Sequence, residues 1–144
     1  MNAAKDFQKQ LLTVTYIIES DTETIAFFSL LNDKISVLET NNKRAWNRFS
    51  RAVPNAKRQR SFPAMKVGRL GVNVSHHGKG IGTVILDYLK QLFIDNNRTG
   101  CRFITVDAYH QSLQFYERNG FKYLIEEDEG KDTRLMYFDL SVLV

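Results

Sequence analysis

Apolar and polar positions change period several times along this chain, and each change marks an element. Leu11 to Glu19 (LLTVTYIIE) is β-branched and aromatic and predicts a strand. After the polar turn Ser20 to Glu23, Thr24 to Leu31 (TIAFFSLL) predicts a second strand antiparallel to the first. Asn32 and Asp33 suggest a bend or bulge, with Lys34 to Glu39 continuing the strand beyond it. From Thr40 to Pro63 the period is lost, and two prolines and scattered asparagines predict a long connection or a short irregular helix. Ala64 to Val74 (AMKVGRLGVNV) alternates again, with Val67, Leu70, Val72 and Val74 apolar. Its alternation slips where Gly68 and Gly71 allow a bulge or splay.

Past a glycine-rich turn, Ile81, Ile85, Leu86, Leu89, Leu92 and Phe93 recur at helical spacing, which buries one face and leaves Asp87, Lys90 and Gln91 outside. Asn96 to Gly100 ends that helix, and Cys101 to Val106 (CRFITV) reads as a buried strand closed by Asp107. Ser112 to Asn119 predicts another helix, with Gly120 just past its C-terminus. Phe121 to Ile125 and Thr133 to Leu140 form a hairpin around EEDEGKD, and Ala3 to Gln10 is a helix-compatible stub. Strands first, then β–helix–β–helix–β–β, predicts a mixed α/β sheet with the central helix across one face.

Length and composition narrow the class. At 144 residues and 43% hydrophobic content the chain fits a single domain, residues 1–144. Cys101 stands alone and cannot form an intrachain disulfide, the first residues lack the apolar core of a signal peptide, and no run approaches the roughly 18 apolar residues of a membrane span. The expectation is a cytoplasmic protein without a membrane partner. The net charge of +4 is unevenly spread: seven basic residues and no acidic one lie between Lys43 and Arg60. That segment is either a solvated basic loop or a surface for an anion such as a nucleic acid or a phosphorylated cofactor. Its aromatics Trp46, Phe49 and Phe62 are either interaction residues or anchors onto the core.

The candidate chemistry centres on HHGKGIG, His76 to Gly82. Three glycines in five positions let backbone approach a ligand, and with Thr83 they open a helix whose first N–H groups lack internal partners. The positive end of the helix dipole adds to this, so the turn suits an anion, most simply phosphate. It is not a P-loop, because Lys79 is followed by Gly80, nor a dinucleotide fingerprint, because Thr83 stands where glycine is wanted.

The turn instead resembles motif A of the Gcn5-related N-acetyltransferase (GNAT) family, Gln/Arg-x-x-Gly-x-Gly/Ala, in the residues His77, Gly78, Lys79, Gly80, Ile81 and Gly82, preceded by RLGVNV. A second block, DAYHQSLQFYERNGF from Asp107 to Phe121, resembles the family's late helix ending in FYxxxGF. His77 stands where the family has Gln or Arg, and Tyr109 where it commonly has Asn. The family usually opens with one or two helices where this chain has a short stub. The resemblance implies a GNAT-like α/β fold: a mixed, mostly antiparallel central sheet with helices on both faces.

It also implies acetyl-CoA as donor, with pyrophosphate on the amides of Gly78 to Thr83, Lys79 adding a cation, and pantetheine beside Leu70, Val72 and Val74. Backbone N–H near Val72 would polarise the thioester, and an amine would attack directly, with no metal. Tyr116 matches the tyrosine that protonates the CoA sulfur. The base is left open among Asp33, Glu39 and Asp107, with His76 and His110 also undecided. Opening TYIIE, the FFSLLND strand and RLGV resemble small GNAT toxins of toxin–antitoxin pairs. Acceptors therefore range from an unidentified primary amine to aminoacyl-tRNA held through Lys43 to Arg60. A non-catalytic CoA-binding module is the third reading, and a homodimer is compatible with each.

Overall fold

The computed structural model describes residues 12–51, 53, 60–95 and 100–144, so the expected helical stub at Ala3 to Gln10 lies outside the described residues, as do the side chains of Leu38 and Glu39. Among the described residues six strands form one sheet: β1 (Val14–Glu19), β2 (Thr24–Ser36), β3 (Ser61–Val72), β4 (Phe103–Tyr109), β5 (Lys122–Tyr123) and β6 (Thr133–Asp139). Their order across the sheet is β1-β2-β3-β4-β6-β5. Only β3 and β4 run parallel, and the crossover between them carries the long helix α3 (Ile81–Ile94). The other helices are α1 (Val37–Thr40), α2 (Lys43–Arg51) and α4 (Leu113–Arg118).

Each face of the sheet buries its own core, as the alternation of strand side chains requires. On one face Phe28, Leu30, Val67, Ile104, Val106 and Met136 meet Ile85, Leu86 and Leu89 of α3 and Tyr116 of α4. On the other, Ile35, Phe62, Ala64 and Phe103 meet Phe49 of α2, Val53 and Leu124. The helices thus cover both faces of a mostly antiparallel sheet, as the resemblance implies.

Several expectations need correcting. The strand expected to continue to Glu39 ends at Ser36, where α1 begins. Of the two readings of Thr40 to Pro63 the described residues show a helix, α2, with β3 already entered at Ser61, because Phe49 and Phe62 have a core to fill. Trp46 stacks on Phe62 and Phe49 packs against Phe103 and Tyr137, so these aromatics are anchors. Asn32 and Asp33 sit in regular pairing with Met65 and Ala64, and the bulge lies instead where Ser29 and Leu30 pair around an inserted Gly68. Asp107 does not close β4, which runs on to Tyr109. Lys90 is inside: its ammonium donates to the Asn119 carbonyl at 2.7 Å and lies 4.2 Å from the Phe138 ring centroid. Burial lowers its pKa, with Asp87 opposing. Lys90 therefore ties α3 to the C-terminal end of α4, where a cation is favoured by the helix dipole.

Candidate active site

The β3–β4 ladder pairs Ala64 to Val67 with Phe103 to Val106 and then stops, although both strands continue. The cause is the bulge at Gly68, which bends β3 away from its neighbour. Because the extra residue resets the alternation, Leu70 and Val72 turn onto the same core as Val67. Among the described residues the strand edge from Arg69 to Val72 that faces β4 has no strand partner, so the expected splay is a fork. Leu70 and Val72 lie on that rail. Val74 does not: β3 ends at Val72, and Val74 stands 79% exposed in the single 3-10 turn Val74–His76.

Asn73 turns the chain out of the strand. Its amide donates to the Ile25 carbonyl at 2.8 Å, its side-chain nitrogen donates to Thr24, and its Oδ1 caps Ser75 N at 3.1 Å. The Nε2–H of His77 then reaches back to the Val72 carbonyl at 2.8 Å, pinning the end of the fork to the start of the turn. His77 therefore positions backbone, with its side chain as well as its main chain. Next to it, His76 Nε2 donates to Glu23 at 2.7 Å, and Lys79 Nζ lies 3.4 Å from His76 Nδ1. The Glu23–His76–Lys79 chain thus links the β1–β2 turn to the glycine turn. No sequence pattern announces that link, since Glu23 is 53 residues from His76.

Gly78 and Gly80 have φ of +79° and +74°, conformations that other L-residues rarely adopt, and a Cβ at either would meet only open space. Gly80 is the N-cap of α3 and no side chain among the described residues caps the helix, leaving the amides of Ile81, Gly82 and Thr83 for an incoming acceptor. No acidic residue occupies the first turn of α3 to oppose an anion. Gly82 serves a different purpose: a Cβ there would lie 2.9 Å from the Phe115 ring, so its absence lets α4 close against α3. An elongated ligand with an anionic end and an amide-bearing arm fits this combination of free helix amides and unpaired strand edge.

Phe115 and Tyr116 follow from that packing. Tyr116 is 6% exposed, lies 5.0 Å from Phe115 and 5.3 Å from Phe121 between ring centroids, and no partner holds its hydroxyl among the described residues. Burial pushes its pKa up to about 12, so the phenol keeps its proton at neutral pH.

Of the acid–base candidates, Asp33 accepts from Thr105 Oγ1 at 2.7 Å, and Asp107 pairs with Lys66 at 2.8 Å. His110 bonds the Lys131 carbonyl, and Glu39 falls in α1, its side chain outside the described residues. Lys66 escaped the sequence reading. Its signal was a lysine in the middle of an otherwise apolar strand. In the basic segment, Arg48 is occupied, bonding the Tyr123 and Leu124 carbonyls and pairing with Glu126 at 2.7 Å. Arg44 lines a cleft of about 300 Å³ with Asn42, Ile125, Glu127 and Glu129. Lys57 and Arg58 lie outside the described residues. Among the described residues no group of three or more His, Cys, Asp or Glu is placed to hold a metal ion, and no helix is long and apolar enough to cross a membrane.

A family model described as an acetyltransferase (GNAT) domain matches residues 14–123. Among solved structures, AtaT complexed with acetyl-methionyl-tRNAfMet superposes with a TM-score of 0.74 at 16% identity, over 97% of this chain and 78% of that one. A mutant of the toxin AtaT bound to the C-terminus of the antitoxin AtaR and acetyl-CoA gives 0.69 at 14% identity, over 96% and 74%. A KacTA–DNA complex gives 0.66 at 18% identity, over 99% and 82%. At these identities the likeness is one of fold.

Proposed function

We propose, for a chain that belongs to the acetyltransferase (GNAT) family and so transfers acetyl groups from acetyl-CoA to amines, that the HHGKGIG turn and the β3/β4 fork together form the donor site. The observation that carries this reading is the conjunction of uncapped α3 amides with a strand edge that has lost its neighbour. The amides of Gly78 to Thr83 hold the diphosphate, with Lys79 as a nearby cation. The backbone of Leu70 to Val72 pairs with the amides of the pantetheine arm in the manner of an added strand. Bound acetyl-CoA supplies the thioester whose acyl carbon the amine attacks directly.

Backbone N–H at Val72 polarises the thioester carbonyl. Tyr116 faces the leaving sulfur with its proton retained. Full transfer from a phenol near 12 to a thiolate near 8.5 is uphill by on the order of 5 kcal/mol, so Tyr116 works by donating a hydrogen bond as charge develops, completing transfer only as the product leaves.

The acceptor we favour is the amino group of an aminoacyl-tRNA, with Arg44 and Arg51 of the basic helix α2 meeting phosphates. The neighbours' complexes with acetyl-methionyl-tRNA and with an antitoxin support this reading, which makes the protein a cytoplasmic toxin with a protein partner. The broader reading is an unidentified primary amine. Acetyl-CoA consumption, followed as thiol release against polyamines, peptides and methionyl-tRNA, separates them. Release that depends on charged tRNA and weakens steeply with salt is expected. Release on peptides or polyamines alone would return the acceptor to the broader class.

A further inference from the structure

The sheet face that carries α2 changes character where the fork opens. Along it, Ile35, Phe62, Ala64 and Phe103 are apolar and buried against α2. The next positions on the same face are Asp33 of β2, Lys66 of β3, and Thr105 and Asp107 of β4. Thr105 opposes Lys66 in the ladder one step before the last pair, and Asp107 is the first residue of β4 past it. The polar group therefore sits at the apex of the fork.

It is a built cluster. Lys66 Nζ is 2.8 Å from Asp107 Oδ2 and 3.7 Å from Asp33 Oδ2, and Thr105, fully buried, donates to Asp33 Oδ2 at 2.7 Å. Two carboxylates share one ammonium, which leaves a negative excess. The excess is not evenly placed: the Asp33 side chain is 20% exposed and takes contacts from both Thr105 and Lys66 on Oδ2, whereas Asp107 is 50% exposed and takes one, from Lys66. Desolvation disfavours the Lys66 charge, but the two aspartates outweigh it and raise its pKa, so the ammonium persists. On β6, Leu135 and the Tyr137 phenol, kept protonated by burial, complete this face. Tyr116 belongs to the opposite core, so the fork has the phenol on one side of the sheet and the free carboxylate oxygen on the other.

We propose that Asp107 receives the acceptor: its carboxylate pairs with the acceptor's ammonium from the α2 face and accepts the proton released as nitrogen attacks, with Lys66 and Asp33 as positioning residues. The inference rests on the acetyltransferase reading and adds to it the side of entry and the charge of the acceptor. In the step, the ammonium first gives one proton to Asp107, which, being half exposed, passes it to water. The freed lone pair forms the C–N bond, the C–S bond breaks with its electron pair on sulfur, and the nitrogen gives its second proton to the again-free Asp107 carboxylate, which passes it to water. Water returns one proton to Tyr116 after the phenol has protonated sulfur. Sulfur leaves as thiolate and takes a proton from the Tyr116 side, so an ammonium and a thioester become an amide, a thiol and one released proton.

Two measurements test this. In protein labelled at the aspartate Cγ, titration with methylammonium should shift the Asp107 carboxyl resonance more than that of Asp139, without acetyl-CoA present. In thiol-release assays, Asp107→Asn should lower transfer to the best cationic amine at least thirtyfold, lower transfer to hydroxylamine, which is uncharged at neutral pH, far less, and leave acetyl-CoA affinity within threefold. Asp107→Glu should recover part of the loss. An unmoved Asp107 resonance, or equal losses on both nucleophiles, overturns the assignment. Wild-type protein that binds acetyl-CoA but acetylates no amine overturns the acceptor reading instead, and the titration still decides the ammonium site.

Discussion

The two faces of the sheet are organised by different kinds of contact. On the α3 face the chain works through backbone: glycines at positive φ, helix amides without caps, a strand edge freed by a bulge, and aliphatic side chains repeating every three or four residues. On the α2 face it works through side chains brought together from far apart in sequence, such as Phe49 against Tyr137 and Arg48 against the carbonyls of Tyr123 and Leu124. The backbone geometry that the proposed donor site would use for a diphosphate and a pair of amides is one that few local sequences supply, so that half carries a motif. A face that meets an acceptor can be lined by many combinations of side chains, so that half carries none.

Phe49→Ala is expected to have the largest effect. Phe49 touches Trp46, Phe62, Phe103 and Tyr137, and its loss should cost about 3–5 kcal/mol in denaturant unfolding. The donor half stands on the other core, so acetyl-CoA affinity in the folded fraction should change little. A parallel loss of both would show that the faces are not separable.

Gly82→Val tests the other face. Its side chain would collide with Phe115, and the expected cost is about 1–3 kcal/mol. Unlike Phe49→Ala, it should weaken acetyl-CoA binding as strongly as it weakens the fold. A next, smaller effect is Lys90→Met, which keeps the packing but strips the Asn119 carbonyl of its donor, at about 1 kcal/mol. Binding that survives this change within a few-fold is expected, since Lys90 touches the far end of α4.

How legible the molecule was follows the same division. The α3 repeat, the FYERNGF helix with Gly120 at φ +88°, and the slip at Gly68 could all be read, because each is written in consecutive residues. Lys90 was misplaced because helical spacing reports which side is wet on average, not that one ammonium finds a carbonyl across the interface. Trp46, Phe49 and Phe62 stayed ambiguous because the rings that Phe49 and Phe62 pack on, Phe103 and Tyr137, lie some 40 to 90 residues away, and Trp46 packs through those two. In the proposed site, the glycine turn and the helix of Tyr116 were legible as local structure, whereas the strand ends at Val72, two residues short of the expected Val74, and Lys66 was overlooked.

The smallest effects concern pH. Burial pushes the Asp139 carboxyl up, but bonds from Arg102 and Ser141 outweigh this and hold it below its ordinary value. That contribution is present above the unfolded carboxylate range near pH 4 and fades as pH falls through the lower folded value, so Asp139→Asn should flatten the acid limb of the stability curve. For Tyr116 the sign is opposite. Its folded pKa of about 12 exceeds the unfolded value near 10, so its contribution is intact below pH 10 and is lost between there and pH 12. Tyr116→Phe should remove that alkaline loss in thermal melts.

The role of Tyr116 is decided by acetyl-CoA affinity measured beside single-turnover acetyl transfer in Tyr116→Phe. The phenol lies in the core beside the fork and not on the glycine turn, so affinity should stay within about twofold while the transfer rate falls by about 10²-fold or more. A transfer rate equal to wild type, with affinity also unchanged, would remove Tyr116 from the chemistry and leave the turn and fork as a binding site alone.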